Sequence, residues 1–215
     1  TEQGILSVVA SGNAGDVYNV GGSPGNAKSS LTVASSIGSQ ISLDRAEIVS
    51  AEESTGTTTA AGQYSVNFNY SDPALSAEQL TGDVVVAPAS NAFGCNAFPA
   101  GSLTDKWVWI QWEDENGAFP CGSGARFNNA EAAGATGVVL DSPRDVFDAG
   151  IGGNTALPGI QLNRESSERL RPAAVEGSLT VRLDPAFMGT ATGPSNALDT
   201  VSSFSSRGLH GSNGV

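Results

Sequence analysis

The side chain in this 215-residue chain that most invites chemistry is Asn13, at the lip of the turn SGNAGD that follows the apolar run GILSVVA. An amide in that place is an uncharged hydrogen-bond donor. Serine or cysteine chemistry also needs a nucleophile beside a base, with a third group orienting the base. No such set surrounds Asn13. The segment GSGARFN lacks the G-x-S-x-G frame of a nucleophile elbow. By itself Asn13 is one piece of an active site, or a loop amide.

Other residues suit binding more than reaction. Cys95 and Cys121 occupy similar turn-like settings, AFGCNAF and AFPCGSG. Two cysteines do not complete a four-ligand zinc site. They read as a disulfide, which implies an oxidising compartment and contributes about 3 kcal/mol for a loop of this size; two buried thiols are the alternative. Asp141, Asp145 and Asp148 in DSPRDVFDAG match no EF-hand spacing and read as a solvated acidic loop. No metal and no cofactor is expected. In KWVWIQWE, alternation puts Trp107, Trp109 and Gln111 on one face and Val108, Ile110 and Trp112 on the other. A strand apolar on both faces is core material. Trp112 and Phe119, beside the second cysteine turn, are the candidates for an aromatic patch that docks a peptide or a sugar.

The elements that must position these residues are mostly strands. The 27 glycines and a charged fraction of only 15% favour a turn-rich β protein. GILSVVA, SSLTVAS, QYSVNFNY, GDVVVAP, KWVWIQWE, GVVL, LPGIQL and SLTVRL read as strands. STGTTTAAG reads as a flexible loop. Two helices interrupt them, one over Ala125–Ala133 with Ser123 as N-cap and Gly134 as terminator, and one after Asn163 with Glu165 in its first turn. Their N-termini present backbone donors to a carboxylate or other anion. This order predicts an α+β fold. Leu31–Ser35 and Val201–Phe204 read as strands that meet, so that the middle of the chain is an insertion with adjacent ends.

Net charge of −12 disfavours nucleic acid, a dense line of phosphates. No run approaches the roughly 20 apolar residues that span a bilayer. No basic-then-apolar leader is visible, and the opening reads as a cut from something longer.

Taken in order, SVVASGNAGD, GSPGNAKSSLTVASS and VSSFSSRG resemble the subtilisin-like serine proteases. The stretch between them, with KWVWIQWEDENGAFPCGSGARFNNAEAAGATGVVLDS and ALPGIQLNRESSERL, is similar to a protease-associated domain, a domain commonly inserted there in that family. Its tryptophan strand departs from the aliphatic one more usual in such domains.

The resemblance implies three segments: 1–38 from the catalytic α/β domain, 39–187 as the inserted domain, and 188–215 returning to the catalytic domain. It implies a β-rich α+β fold with an open β-barrel or sheet and short flanking helices. Asn13 becomes an oxyanion-hole donor, holding charge that builds on the substrate carbonyl. The triad aspartate and histidine would precede residue 1 and the serine follow residue 215, leaving this stretch inactive alone. His210, in HGSNGV, follows SFSSRG, whereas the family's histidine precedes the asparagine, so it reads as a solvated loop residue. The partners implied are the rest of the catalytic domain and a protein or peptide substrate, in a secreted or cell-surface protein. A stand-alone peptide- or carbohydrate-binding module is the alternative.

Overall fold

A computed structural model describes residues 4–15, 24, 25, 27, 29–50, 56–145, 147, 150–194, 200–202 and 204–206. The strands, in chain order, are β1 (Ser7–Ala10), β2 (Ser30–Val33), β3 (Ser36–Ile37), β4 (Gln40–Ile48), β5 (Thr59–Tyr64), β6 (Thr81–Val86), β7 (Trp107–Gln111), β8 (Gly137–Asp141), β9 (Gly159–Leu162), β10 (Thr180–Leu183), β11 (Ala191–Pro194) and β12 (Thr200–Val201). The helices are α1 (Ser123–Ala132) and α2 (Arg164–Glu176). They fall into two units, Thr1–Gln40 with Ser195–Val215, and Ile41–Pro194.

In the first unit β1 and β2 pair in parallel, with Val8 opposite Leu31 and Ala10 opposite Val33. β3 pairs antiparallel with β12, Ser36 opposite Val201 and Ile37 opposite Thr200. The two ends of the sequence therefore lie side by side. Serine hydroxyls reinforce the join. Ser35 Oγ and Ser202 Oγ are 2.7 Å apart, and the buried Ser205 Oγ accepts from the Ser35 amide at 3.0 Å.

The second unit is a β-barrel. Seven strands follow one another in the order β10, β6, β7, β8, β9, β5, β4, and β4 pairs with β10 again to close the ring. β6 to β9 run parallel, and the other joints are antiparallel. β7 sits in the middle because its aromatic and β-branched residues suit a pleated, doubly covered strand. Trp107 and Trp109 face a core with Val84, Val139, Ile160 and Val181, joined by Leu170 and Ala173 of α2. Val108 and Ile110 face a second core with Val138, Leu140 and the α1 residues Phe127 and Ala130. The Trp107 indole lies where a Cβ on Gly82 or Gly137 would collide with it, so the flanking strands β6 and β8 carry glycine there.

Several expectations need correction. The barrel is closed, because Val181 and Leu183 of β10 pair with Ile48 and Ala46 of β4. Closure depends on accumulated twist and stagger, which no local pattern reports. QYSVNFNY is not one strand. β5 ends at Tyr64, Val66 is exposed, and the stretch expected as a flexible loop contributes the strand start Thr59–Gly62 instead. Its core-facing positions, Ala60 and Gly62, are small because β9 crosses so close that a Cβ on Gly62 would strike the Gln161 carbonyl. β4, the nine-residue strand QISLDRAEI, carries Asp44, Arg45 and Glu47, which hide its alternation. The N-cap of α1 is Gly122, not Ser123, whose hydroxyl accepts from the Gly153 amide at 3.1 Å. Asn163 does cap α2, accepting from the Ser166 amide at 2.9 Å, and Gly134 takes the left-handed conformation after α1.

Candidate functional site

In the first unit, β1 delivers Asn13 to the rim of a cleft of 450 Å³, lined by Val9, Gly12, Val33, Ser35 and Phe204 among others. The turn is held by its partners across the join. The Gly15 amide donates to the Phe204 carbonyl at 2.9 Å, the Ser206 amide to the Gly12 carbonyl at 2.9 Å, and the Ala14 amide to Ser206 Oγ at 3.0 Å. Asn13 itself is exposed, and its amide has no partner among the described residues. A hydrogen-bonded turn thus presents a neutral donor at the rim of the cleft. His210 lies outside the described residues.

In the barrel unit, the parallel strands β6 to β9 end on one edge, and the loops after β7 and β8 gather there. Trp112 follows β7, and its amide donates to the Asp141 carbonyl at 2.8 Å. Phe119 is 50% exposed, with its ring 5.2 Å from that of Trp112. Arg126 of α1 lies over Trp112 at 4.6 Å, and Arg144 over Phe119 at 5.3 Å, so the two packed rings are flanked by one cation on each side. The Cys95–Cys121 disulfide is formed and anchors this loop to the segment after β6.

Arg126 was not singled out from the sequence, yet it organises the edge. It is fully buried and donates to the carbonyls of Trp112 (2.8 Å), Cys121 (3.0 Å) and Gln111. Burial without a carboxylate partner pushes its guanidinium down to about 10. A lone arginine in the apolar helix segment following the disulfide turn was the available signal.

Asp141 does not belong to a solvated acidic loop. It is buried at the end of β8, where its carboxylate accepts from Arg171 Nε at 2.8 Å, Arg171 Nη2 at 2.7 Å and the Trp109 indole at 2.9 Å. The bond from Asp141 raises the Arg171 guanidinium above its usual range. Asp145 is ion-paired to Arg164, and Asp148 lies outside the described residues. Among the described residues no three metal-ligating acidic, histidine or cysteine side chains cluster, and no helix is long and apolar enough to cross a membrane. The edge exposes one ring, Phe119. Among its described residues no nucleophile is paired with a base.

No protein-family model matches the chain, and no curated protein does. A zinc aminopeptidase from Bacillus subtilis is similar in two solved structures, with TM-scores of 0.42 and 0.41 and identities of 17% and 16%. These cover 68% and 66% of this chain and 32% of that one. A peptidase M28 precursor from Shewanella amazonensis is similar at a TM-score of 0.39 and 16% identity, covering 67% of this chain and 35% of its own. This chain spans about a third of the length of those proteins.

Proposed function

We propose that this chain is part of a secreted subtilisin-like serine endopeptidase. Its barrel body is a protease-associated domain that holds protein substrate or governs access to the cleft. Its paired ends belong to the catalytic α/β domain. On this reading the sequence divides into 1–38 and 188–215 from the catalytic domain and 39–187 as the inserted domain. The observation that supports the reading best is the join itself. Among the described residues Asn13 stands unpartnered, at a cleft whose walls come from both ends of the sequence.

A second observation favours the same reading. Parallel sheets are covered on both faces, yet Val8, Leu31 and Val33 of the β1–β2 pair are 57%, 53% and 50% exposed. A two-stranded sheet with bare apolar residues is marginal in water. Further strands and helices of a larger α/β domain would cover it.

In the parent enzyme, acyl transfer develops negative charge on the substrate carbonyl oxygen. The Asn13 amide donates to that oxygen from a backbone already fixed by Ser206 and Phe204, so no reorganisation accompanies the reaction. The aspartate, histidine and serine of the triad are supplied from elsewhere in that domain, and the 215 residues alone do not cleave peptides.

The test is a protease assay on this chain and on a form extended by its adjoining sequence. The extended form cleaves a peptide substrate and is blocked by a serine-directed inhibitor. In it, Asn13→Ala lowers kcat by roughly ten- to a hundredfold, the value of one lost charge-assisted hydrogen bond, and KM changes little. Activity of the 215-residue chain alone, or an extended form indifferent to Asn13→Ala, overturns the reading.

The half-exposed Phe119, its ring packed at a tilt against Trp112, favours a second reading, an autonomous peptide- or carbohydrate-binding module. Saturable quenching of tryptophan fluorescence by extended peptides or oligosaccharides, abolished by Phe119→Ala, supports that module.

A further inference from the structure

A polar pocket of 330 Å³ opens in the barrel body. Two arginines line it, Arg45 from β4 and Arg169 from α2, with threonines of the β5 and β11 approaches. These two cations stand apart in a chain with only ten basic residues and net charge −12. Among the described residues, Lys106, Arg144, Arg164, Arg171 and Arg182 each have a carboxylate within 3.1 Å. Arg126 is saturated by carbonyls.

Among the described residues Arg45 has no ion-pair partner. One of its N–H groups reaches the Thr190 carbonyl at 2.9 Å, which tethers the guanidinium and leaves its other donors unused. Arg169 is tethered in the same way to the Thr59 carbonyl at 2.9 Å. Its one carboxylate, Glu165, is 3.6 Å away and 76% exposed, and its Nε is buried with no partner. An exposed pair at that distance is worth little. The N-terminus of α2 borders the same pocket through Asn163 and Ser166, and the helix dipole adds positive potential there.

Two tethered guanidiniums with spare donors, a buried unused N–H and a helix N-terminus form one anion-binding surface. We propose that this pocket binds a carboxylate of a bound peptide, held jointly by Arg45 and Arg169. Planar forked donors match a planar carboxylate, and pre-tethering reduces the ordering that binding requires. Glu165 competes for Arg169 when the pocket is empty. The inference rests on the reading that the barrel body holds peptide, and is independent of the catalytic parentage.

The experiment is calorimetric titration of the 215-residue chain with three forms of one short uncharged peptide sequence: free C-terminal acid, C-terminal amide, and the amide with one glutamate introduced. The free acid binds, and the plain amide binds about tenfold more weakly or not at all. Binding restored by the glutamate peptide assigns the pocket to acidic side chains, and binding confined to the free acid assigns it to chain termini. Arg45→Gln and Arg169→Gln each weaken the acid form by about tenfold, and added salt weakens it further. Glu165→Gln, an exposed change that leaves the fold intact, tightens it. Equal binding of acid and amide, or indifference to all three substitutions, overturns the carboxylate pocket while peptide binding by the barrel stands. Failure of every peptide to bind overturns both.

Discussion

The hydroxyls of Ser35 and Ser202, 167 residues apart in sequence, lie 2.7 Å from each other, and the Ser202 amide donates to the Ser35 carbonyl at 2.9 Å. The cleft beside Asn13 depends on this relationship, because Phe204 and Ser205 reach it only through the join. A loop returning over such a separation loses much chain entropy on closing, so short strands alone would hold it poorly. The buried hydroxyls add directional bonds where apolar contact is scarce.

Removing them should loosen this unit selectively. Ser205→Ala leaves the Ser35 amide without its acceptor and removes the Ser11 contact at 3.3 Å; a loss of about 1–3 kcal/mol is expected. A double-mutant cycle on Ser35→Ala and Ser202→Ala should give a coupling of about 1 kcal/mol. Amide exchange is the check. Protection should fall around residues 30–37 and 200–206 and persist in β7 and β8. Unchanged exchange at the join refutes the account.

Arg126 offers a sharper case. A buried cation held only by carbonyls cannot be replaced by an apolar side chain without orphaning the carbonyls of Trp112 and Cys121. Arg126→Met is expected to destabilise the barrel by about 3–5 kcal/mol, and Arg126→Lys by somewhat less, since one ammonium cannot span both. Urea unfolding followed by tryptophan fluorescence measures this. A midpoint within error of the parent would show the guanidinium to be dispensable.

The Trp107 slot predicts intolerance at a residue of no chemical interest. Gly137→Ala places a methyl group inside the indole's volume, and overpacking of this kind costs about 1–3 kcal/mol. Adding Trp107→Leu should recover part of that loss, which a thermal melt of the double variant would detect. Additive losses would argue against direct contact.

Alkaline stability carries the signature of Tyr64. Its hydroxyl donates to the Arg45 carbonyl at 2.6 Å and accepts from the Asp184 amide at 3.1 Å, tying β5 to the point where β4 and β10 close the ring. Burial raises its pKa well above the usual 10.0. The unfolded chain then releases this proton above pH 10 while the folded chain retains it, so the contribution is whole below pH 10 and shrinks as pH rises. The advantage of the parent over Tyr64→Phe, about 1–2 kcal/mol at pH 8, should fall by about 1.4 kcal/mol at pH 11. An advantage that stays constant with pH would contradict the buried phenol.

Local chemistry was readable wherever one residue type dictated one conformation or one face. Asn163 before a helix, Gly134 after one, and the two apolar faces of β7 follow from capping, the left-handed glycine and the alternation of a pleated strand. The pairing of Cys95 with Cys121 follows from their being the two cysteines present. Burial and long-range register were not readable. Asp141 looks like any loop aspartate until Arg171 and Trp109 arrive from other elements. β4 and β5 carry charges or small residues at positions that only neighbouring strands justify. Arg45 of β4 and Arg169 of α2 line one pocket only in the folded chain. Capping and alternation act within a few residues, whereas ring closure, desolvation and the convergence of like charges depend on distances that the folded chain alone sets.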